Sequence, residues 1–440
     1  MPPTIIPQIA TSLQNYIDKT LSTPSNGPTI PGAILHIVDA KNNTLFSYGA
    51  GSPNPPSAES ISIIHSLTKL VGAIAFMQLV DQGLASLDDA SLIRTQLPEL
   101  VGQKVLKGYT TKPDGSKEWH FEDQHAEITP RMLLNHTYGG GQTYFNIELL
   151  EYFQDQGLWE TKNEATDTFG TILASPLLWQ PGTRTNYGQG LDWIAVLIER
   201  ITQQRLNDFL TTNIFEPLAL TATGYEAGFG GDVTSRASNA GKFWPRKLRT
   251  GDGTIEIEAK EPVIVETEGA FPSGTYHTGR LGTGLVSSAA DYAHLLTILL
   301  PENSGVDPVS GRRIISAAAV EEITKPQLPE HLRNNDRNLP ASGGAPINFP
   351  GILDVPYKDP KGSYGLGCGV QGEERRLKDG RRGRGGGSVY WYGAANTDYW
   401  VDKEKGIVVF ANANYYPFNE DIWVEFVAEV EGQIYEGLRD

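Results

Sequence analysis

Ser66-Leu67-Thr68-Lys69 opens the run Leu70-Val71-Gly72-Ala73-Ile74-Ala75-Phe76-Met77-Gln78-Leu79-Val80-Asp81-Gln82-Gly83, and this stretch decides how the rest of the chain is read. From Leu70 to Val80 it is apolar nearly all the way round a helical wheel, and Gly83 supplies a C-terminal stop. A helix with no polar face belongs in the interior, so a buried central helix is expected here. Its opening carries the only Ser-x-x-Lys of the sequence. Positions i and i+3 share a helix face, which lets the Ser66 hydroxyl and the Lys69 amine meet within the first turn. Burial and the positive end of the helix dipole both disfavour an ammonium there, so Lys69 is expected to accept the serine proton. The same helix end favours an anion at Ser66. The spacing alone is weak, since two fixed positions recur about once by chance in a chain of this length. Ser66 as a plain helix cap, with Lys69 reaching to solvent, is the other reading this segment allows.

Two segments further along bear on that choice. Trp179-Gln180-Pro181-Gly182-Thr183-Arg184-Thr185-Asn186-Tyr187-Gly188-Gln189-Gly190 is a Pro-Gly turn that ends in a tyrosine just before the helical pattern Leu191–Arg200. A phenol projecting from such a loop can hold Ser66 by a hydrogen bond and pass a proton to a leaving group. Alone, Tyr187 reads as one more packed aromatic rather than as a catalytic group. Tyr390-Trp391-Tyr392-Gly393-Ala394-Ala395-Asn396 reads as a strand near a sheet edge. Small residues at Gly393 and Ala394 let a substrate carbonyl approach, and the N–H groups of Ser66 and Ala394 together would form an oxyanion hole.

In order and rough spacing the three motifs resemble the serine β-lactamase and penicillin-binding-protein superfamily, whose pattern is S-x-x-K, Y-x-N, then K-T-G or a replacement. More narrowly, the chain is similar to class C β-lactamase-related proteins: family VIII-like esterases and fungal acyltransferases of the lovastatin transesterase type. Tyr187-Gly188-Gln189-Gly190-Leu191-Asp192-Trp193 matches their Tyr-Gly-x-x-Leu-Asp-Trp stretch. Ile128-Thr129-Pro130-Arg131-Met132-Leu133-Leu134-Asn135-His136-Thr137 resembles their I-T-x-R-x-L-L-x-H-T segment. The likeness runs from about Pro31 to Asn414. It implies an α/β (α+β) fold, with an antiparallel sheet flanked by helices and a mainly helical second domain. It also implies an acyl-enzyme route with Ser66 as nucleophile, Lys69 as base and Tyr187 as proton carrier. Two departures matter. Gln189 keeps the amide of the family's asparagine on a longer arm, and Trp391-Tyr392-Gly393 replaces K-T-G. Gln189, Trp391, Tyr392 and Gly393 are the expected substrate-binding positions. Loss of the K-T-G lysine removes a partner for a β-lactam carboxylate and points to esters or thioesters, although an arginine elsewhere can substitute.

The remaining pattern fits one large unit. Ala33–Asp39 and Thr44–Tyr48 read as a hairpin, Ser388–Asp402 and Gly406–Asn412 as paired strands, and Asn419 to about Tyr435 as a closing helix. Pro130–Asn135, Leu191–Thr202 and Ala289–Leu300 read as helices. An α/β domain of residues 1–85 and 285–440, built from both termini, and a mainly helical insertion at 86–284 are therefore expected. The 440 residues are 39% hydrophobic, with 18 Tyr, 15 Phe and 8 Trp, ample for a core. A net charge of −16 disfavours nucleic acid and anionic membrane surfaces. The short run Arg381-Arg382-Gly383-Arg384-Gly385-Gly386-Gly387 is read as a basic loop between strands, not an RNA-binding tract. Cys368 is the sole cysteine, so no intrachain disulfide and no Cys-based zinc site are expected. His120 and His125 lack a zinc-ligand pattern, no nucleophile elbow or phosphate loop occurs, and no cofactor is called for. His136 is read as a turn-holding residue. With no secretory leader and no apolar run of about 18 residues, a cytoplasmic enzyme is expected. Its partners would be a small-molecule acyl donor, free or carried on CoA or an acyl carrier, and a small-molecule acceptor. Water as acceptor would make it an esterase, and a silent binding protein on the same fold is the reading from another class.

Overall fold

Alternation along Ile407-Val408-Val409-Phe410-Ala411 shows how the molecule is layered. In a strand, successive side chains face opposite ways, so a run apolar throughout must be covered on both faces. Ile407, Val409 and Ala411 join one buried cluster, and Val408 and Phe410 join another. The computed structural model describes residues 3–22, 29–51, 54–143, 145–159, 168–226, 230–250, 255–257, 280–333, 359 and 361–439. In chain order, the elements that build the site are α1 (Pro7–Ser22), β1 (Ala33–Asp39), β2 (Thr44–Ala50), α2 (Thr68–Asp81), α3 (Gly190–Thr202) and α4 (Ala289–Thr297). They continue with β3 (Ser363–Tyr364), β4 (Gly369–Val370), β5 (Val389–Gly393), β6 (Thr397–Asp402), β7 (Ile407–Asn412) and α5 (Asp421–Gly437).

The seven strands form one sheet in the order β3-β4-β5-β6-β7-β1-β2, every neighbouring pair antiparallel. The expected run 388–402 is thus a hairpin rather than one strand: Gly393 pairs with Thr397 across Ala394–Asn396, and Asn396 takes φ 55°, the left-handed residue such three-residue loops use. One face is covered by α1 and α5, which meet through stacked Tyr16 and Phe426 rings 5.7 Å apart. The other face carries α4, packed on β7 and β1; α2 joins the same buried cluster, and α3 packs against α2.

α2 is the buried central helix that its sequence describes. Leu70, Val71, Ile74, Phe76 and Leu79 are each 0% exposed. At about 2 kcal/mol per fully buried side chain, these five contribute on the order of 10 kcal/mol of gross transfer free energy, an upper bound against an extended chain. That anchorage fixes the start of the helix, where Ser66 lies.

The Arg/Gly loop is consumed internally. Arg375 and Arg384 pair with Glu431 of α5, a residue with no exposed surface, while Arg384 also stacks over Tyr390 (4.6 Å) and Trp400 (5.3 Å). Arg381 pairs with Glu429 and Asp379, and Arg382 with Glu374. Among the described residues no helix is long and apolar enough to cross a membrane.

Candidate active site

Ser66 does not belong to α2 proper. It sits in the 3-10 turn His65–Leu67, one step ahead of the helix. That turn is held from three sides. The strand Ile61–Ile63 pairs antiparallel with Val286–Ser288, and the Ile64 N–H donates to the Leu285 carbonyl at 3.0 Å. The Tyr292 hydroxyl of α4 donates to the Leu67 carbonyl at 2.8 Å. The third side is β5. Its neighbour β4 pairs only as far as Tyr390, so the edge beyond Tyr390 lies along residues 64–67. A Cβ on Gly393 would stand 2.8 Å from the Ile64 carbonyl oxygen, so a residue with no side chain is required for this approach. His65, just before the nucleophile, takes φ 48°, a strained value for a residue with a side chain.

Ser66 Oγ accepts a hydrogen bond from the Tyr187 hydroxyl at 2.9 Å and lies 3.2 Å from Lys69 Nζ. Lys69 is 1% exposed, and its Nζ donates to the Gly282 carbonyl at 2.6 Å and stands 4.6 Å from the centre of the Tyr187 ring. Two side chains, one from three residues along the chain and one from 121 residues away, thus converge on the Ser66 oxygen. The reading of Lys69 as a lysine reaching to solvent is excluded by this burial.

Tyr187 is fixed by the loop that carries it. Its ring contacts His136 (4.6 Å between centroids), Phe145 (5.4 Å) and Trp391 (5.6 Å). His136 Nδ1 accepts from the Gly188 N–H at 3.4 Å, and the His136 carbonyl accepts from the Asn186 N–H at 2.9 Å. The histidine therefore grips both flanks of the tyrosine. Full burial holds its imidazole well below the usual range, with Lys69 adding to the effect, so it stays neutral and keeps Nδ1 as an acceptor. His65 is likewise depressed, to about 3, by burial first and then by Arg246, Arg280 and Lys69. Arg246, which no motif singles out, brings Nη1 to 3.4 Å from His65 Nε2 and 3.3 Å from the Tyr416 hydroxyl.

The remaining expected positions separate. Trp391 is 4% exposed and faces Tyr187, Gly393 ends β5 against Ile64 and Leu67, and Ala394 opens the hairpin loop that follows. Tyr392 does not face the site. It follows the two-residue period onto the opposite face with Tyr390 (rings 5.7 Å apart), against the α1–α5 layer. Gln189 caps α3, 2% exposed, with an Oε1 that has no hydrogen-bond partner among the described residues. Gly282 and Asp192 are also part of the site: the Asp192 carboxylate accepts the Gly282 N–H at 2.8 Å. Asp192 lies within the Tyr187–Trp193 motif, which by itself gives it no role. Gly282 has no local signal, and is brought to Lys69 only by folding.

The model of the family described as Beta-lactamase matches residues 17–430. The chain belongs to that family. It has the β-lactamase/transpeptidase-like fold, and it is an enzyme. Within the β-lactamase family it is similar to a lovastatin esterase of Penicillium rubens, 26% identical over 400 residues, with 89% of this chain and 90% of that protein covered. It is also similar to the monacolin J acid methylbutanoyltransferase of Aspergillus terreus, 25% identical over 418 residues with 92% of each covered. Among solved structures, unliganded simvastatin synthase from Aspergillus terreus superposes with a TM-score of 0.74 at 23% identity, covering 97% of each chain. EstCE1, a hydrolase with promiscuous acyltransferase activity, does so at 0.64 and 15%, covering 97% of this chain and 98% of that one. These two likenesses concern the fold.

Proposed function

We propose that this β-lactamase-family enzyme is a serine acyltransferase of secondary metabolism, moving an acyl group from a thioester or ester donor to a small-molecule acceptor. The observation that carries the chemistry is the convergence of Tyr187 Oη and Lys69 Nζ on Ser66 Oγ, at 2.9 and 3.2 Å. In the first half-reaction Ser66 Oγ attacks the donor carbonyl carbon while its proton passes to Lys69 Nζ. The N–H groups of Ser66 and Ala394 receive the developing oxyanion. The carbon–sulfur or carbon–oxygen bond breaks, and the leaving thiol or alcohol takes its proton by way of Tyr187. In the second half the acceptor hydroxyl gives up its proton along the same path and attacks acyl-Ser66, which regenerates the serine. Trp391 and Gly393 would line the acyl-binding side, and the buried Gln189 amide would meet a polar group of the substrate.

The similarity to a lovastatin esterase supports a second reading, in which water is the acceptor. One experiment separates them. The protein is incubated with a short-chain N-acetylcysteamine thioester, with and without candidate alcohols, and its intact mass is followed. An acyl adduct on Ser66, absent in Ser66→Ala, with turnover accelerated by the alcohol and acylated product formed, is the expected result. Equal turnover in water alone would favour the esterase. No adduct with any activated ester on folded protein would favour a binding protein. We further propose a cytoplasmic location and a CoA-borne or carrier-borne donor; recovery from culture fluid with a trimmed N-terminus would contradict the location.

A further inference from the structure

Lys69 must present its nitrogen to Ser66 on every turnover, yet among the described residues no carboxylate forms an ion pair with it. Its Nζ is held by the Gly282 carbonyl at 2.6 Å, 213 residues away in sequence. What fixes Gly282 is Asp192, in the first turn of α3 and 3% exposed, whose Oδ1 accepts the Gly282 N–H at 2.8 Å. The fit is close enough that a Cβ on Gly282 would stand 2.7 Å from Asp192 Oδ2 and 3.0 Å from Oδ1. Gly282 is thus wedged between the carboxylate of α3 and the amine arriving from α2, and needs to be glycine because of the carboxylate.

We propose that Asp192 is a positioning residue for the proton transfer: by holding the Gly282 N–H it sets the carbonyl that aims the Lys69 amine at Ser66. This rests on the reading of Ser66, Lys69 and Tyr187 as the acyl-transfer set. The groups facing Asp192 are Lys69 from α2, Arg280 beside Gly282, and the phenols of Tyr138 and Tyr225. Burial raises the Asp192 carboxyl from its ordinary value, and the Gly282 and Leu281 N–H groups, Lys69 and Arg280 oppose that rise.

The test is Asp192→Asn, which keeps the shape and one acceptor oxygen but turns the other oxygen into a donor. It is paired with Gly282→Ala, in which the new methyl pushes against the carboxylate, so that a folded variant remains if either fails to fold. An error of about 1 Å in placement costs on the order of 100-fold in rate. Each variant is therefore expected to lower kcat for thioester turnover roughly 10- to 100-fold with KM within about twofold. The acid limb of the pH–rate profile is expected to move to lower pH in Asp192→Asn, because a negative charge near the reacting groups is gone. The double variant should be no worse than the poorer single one, since both disturb the same Asp192–Gly282 contact. In 13C-lysine-labelled protein the Lys69 Cε resonance, assigned by its loss in Lys69→Arg, should shift in both variants. Unchanged kcat, unchanged pH profile and an unmoved resonance in the variants, with only a lower melting temperature, would overturn the proposal, as would fully additive losses. A wild-type protein that forms no acyl-Ser66 while the Lys69 resonance still shifts in the variants would count against acyl transfer and leave the positioning role standing.

Discussion

Tyr187 is tied to Ser66 by its hydroxyl and to the core by its ring, and the two ties can be cut separately. Tyr187→Phe removes the 2.9 Å hydrogen bond and leaves the contacts with His136, Phe145 and Trp391. Proton transfer by a positioned side chain accounts for about 100- to 10,000-fold in rate, so the variant is expected to lose activity by that order. Its urea midpoint should stay near wild type, because an exchange that keeps the ring removes little packing. Loss of fold stability with unchanged kcat would show that Tyr187 is only a core aromatic. The same logic explains why Tyr392 drops out of the site: one residue along a strand is the opposite face of the sheet.

The sheet and its terminal helix meet at Asp398 of β6, whose carboxylate accepts the Trp423 indole N–H of α5 at 2.6 Å. Burial pushes this carboxyl up to about 7 from its ordinary value near 3.8, against the pull of the Trp423 bond and of Arg384 and Arg375. The folded form therefore holds a proton that the unfolded form releases, and stability is lost as pH rises from about 4 to about 7. Asp398→Asn keeps an acceptor for Trp423 and carries no titrating group. It should melt higher than wild type above pH 7, by on the order of 1–3 kcal/mol in stability, and show no gain at pH 4. Thermal melts across that range check this, and an equal effect at both ends would refute it.

Across the whole molecule, three buried imidazoles work in the opposite direction. His36 is lowered to about 4 by burial, His65 to about 3, and His136 lies well below its ordinary value near 6.5. All three stay neutral in the fold and take up protons on unfolding, so stability is intact above about pH 6.5 and is lost as pH falls toward 4. Each contributes a slope of about 1.4 kcal/mol per pH unit in that window. His36 Nδ1 has no hydrogen-bond partner among the described residues, so His36→Leu removes one slope without breaking a bond at that atom. Urea midpoints at pH 6.5 and 4.5 should converge in the variant relative to wild type. We also propose a division into residues 1–85 with 285–440 and residues 86–284, to be tested by limited proteolysis near the two joints.

Much of this was legible in the residues. The all-round apolar run after Lys69 required a buried helix, alternation marked the strands at both ends of the chain, and a Ser-x-x-Lys at a helix start placed its two side chains on one face. Those are local facts, set by periods of 3.6 and 2.0 residues. Other features depend on long-range approach: Tyr187 reaches Ser66 across 121 positions, and Gly282 reaches Lys69 across 213. Nothing near Gly282 announces that its carbonyl will hold an amine. Its role exists only because α2 and α3 pack side by side and bring Asp192 to its N–H. The sequence determined which groups could do acyl chemistry, and the tertiary structure decided which of them meet, since hydrogen bonds at 2.6–2.9 Å are set by packed elements and not by spacing along the chain.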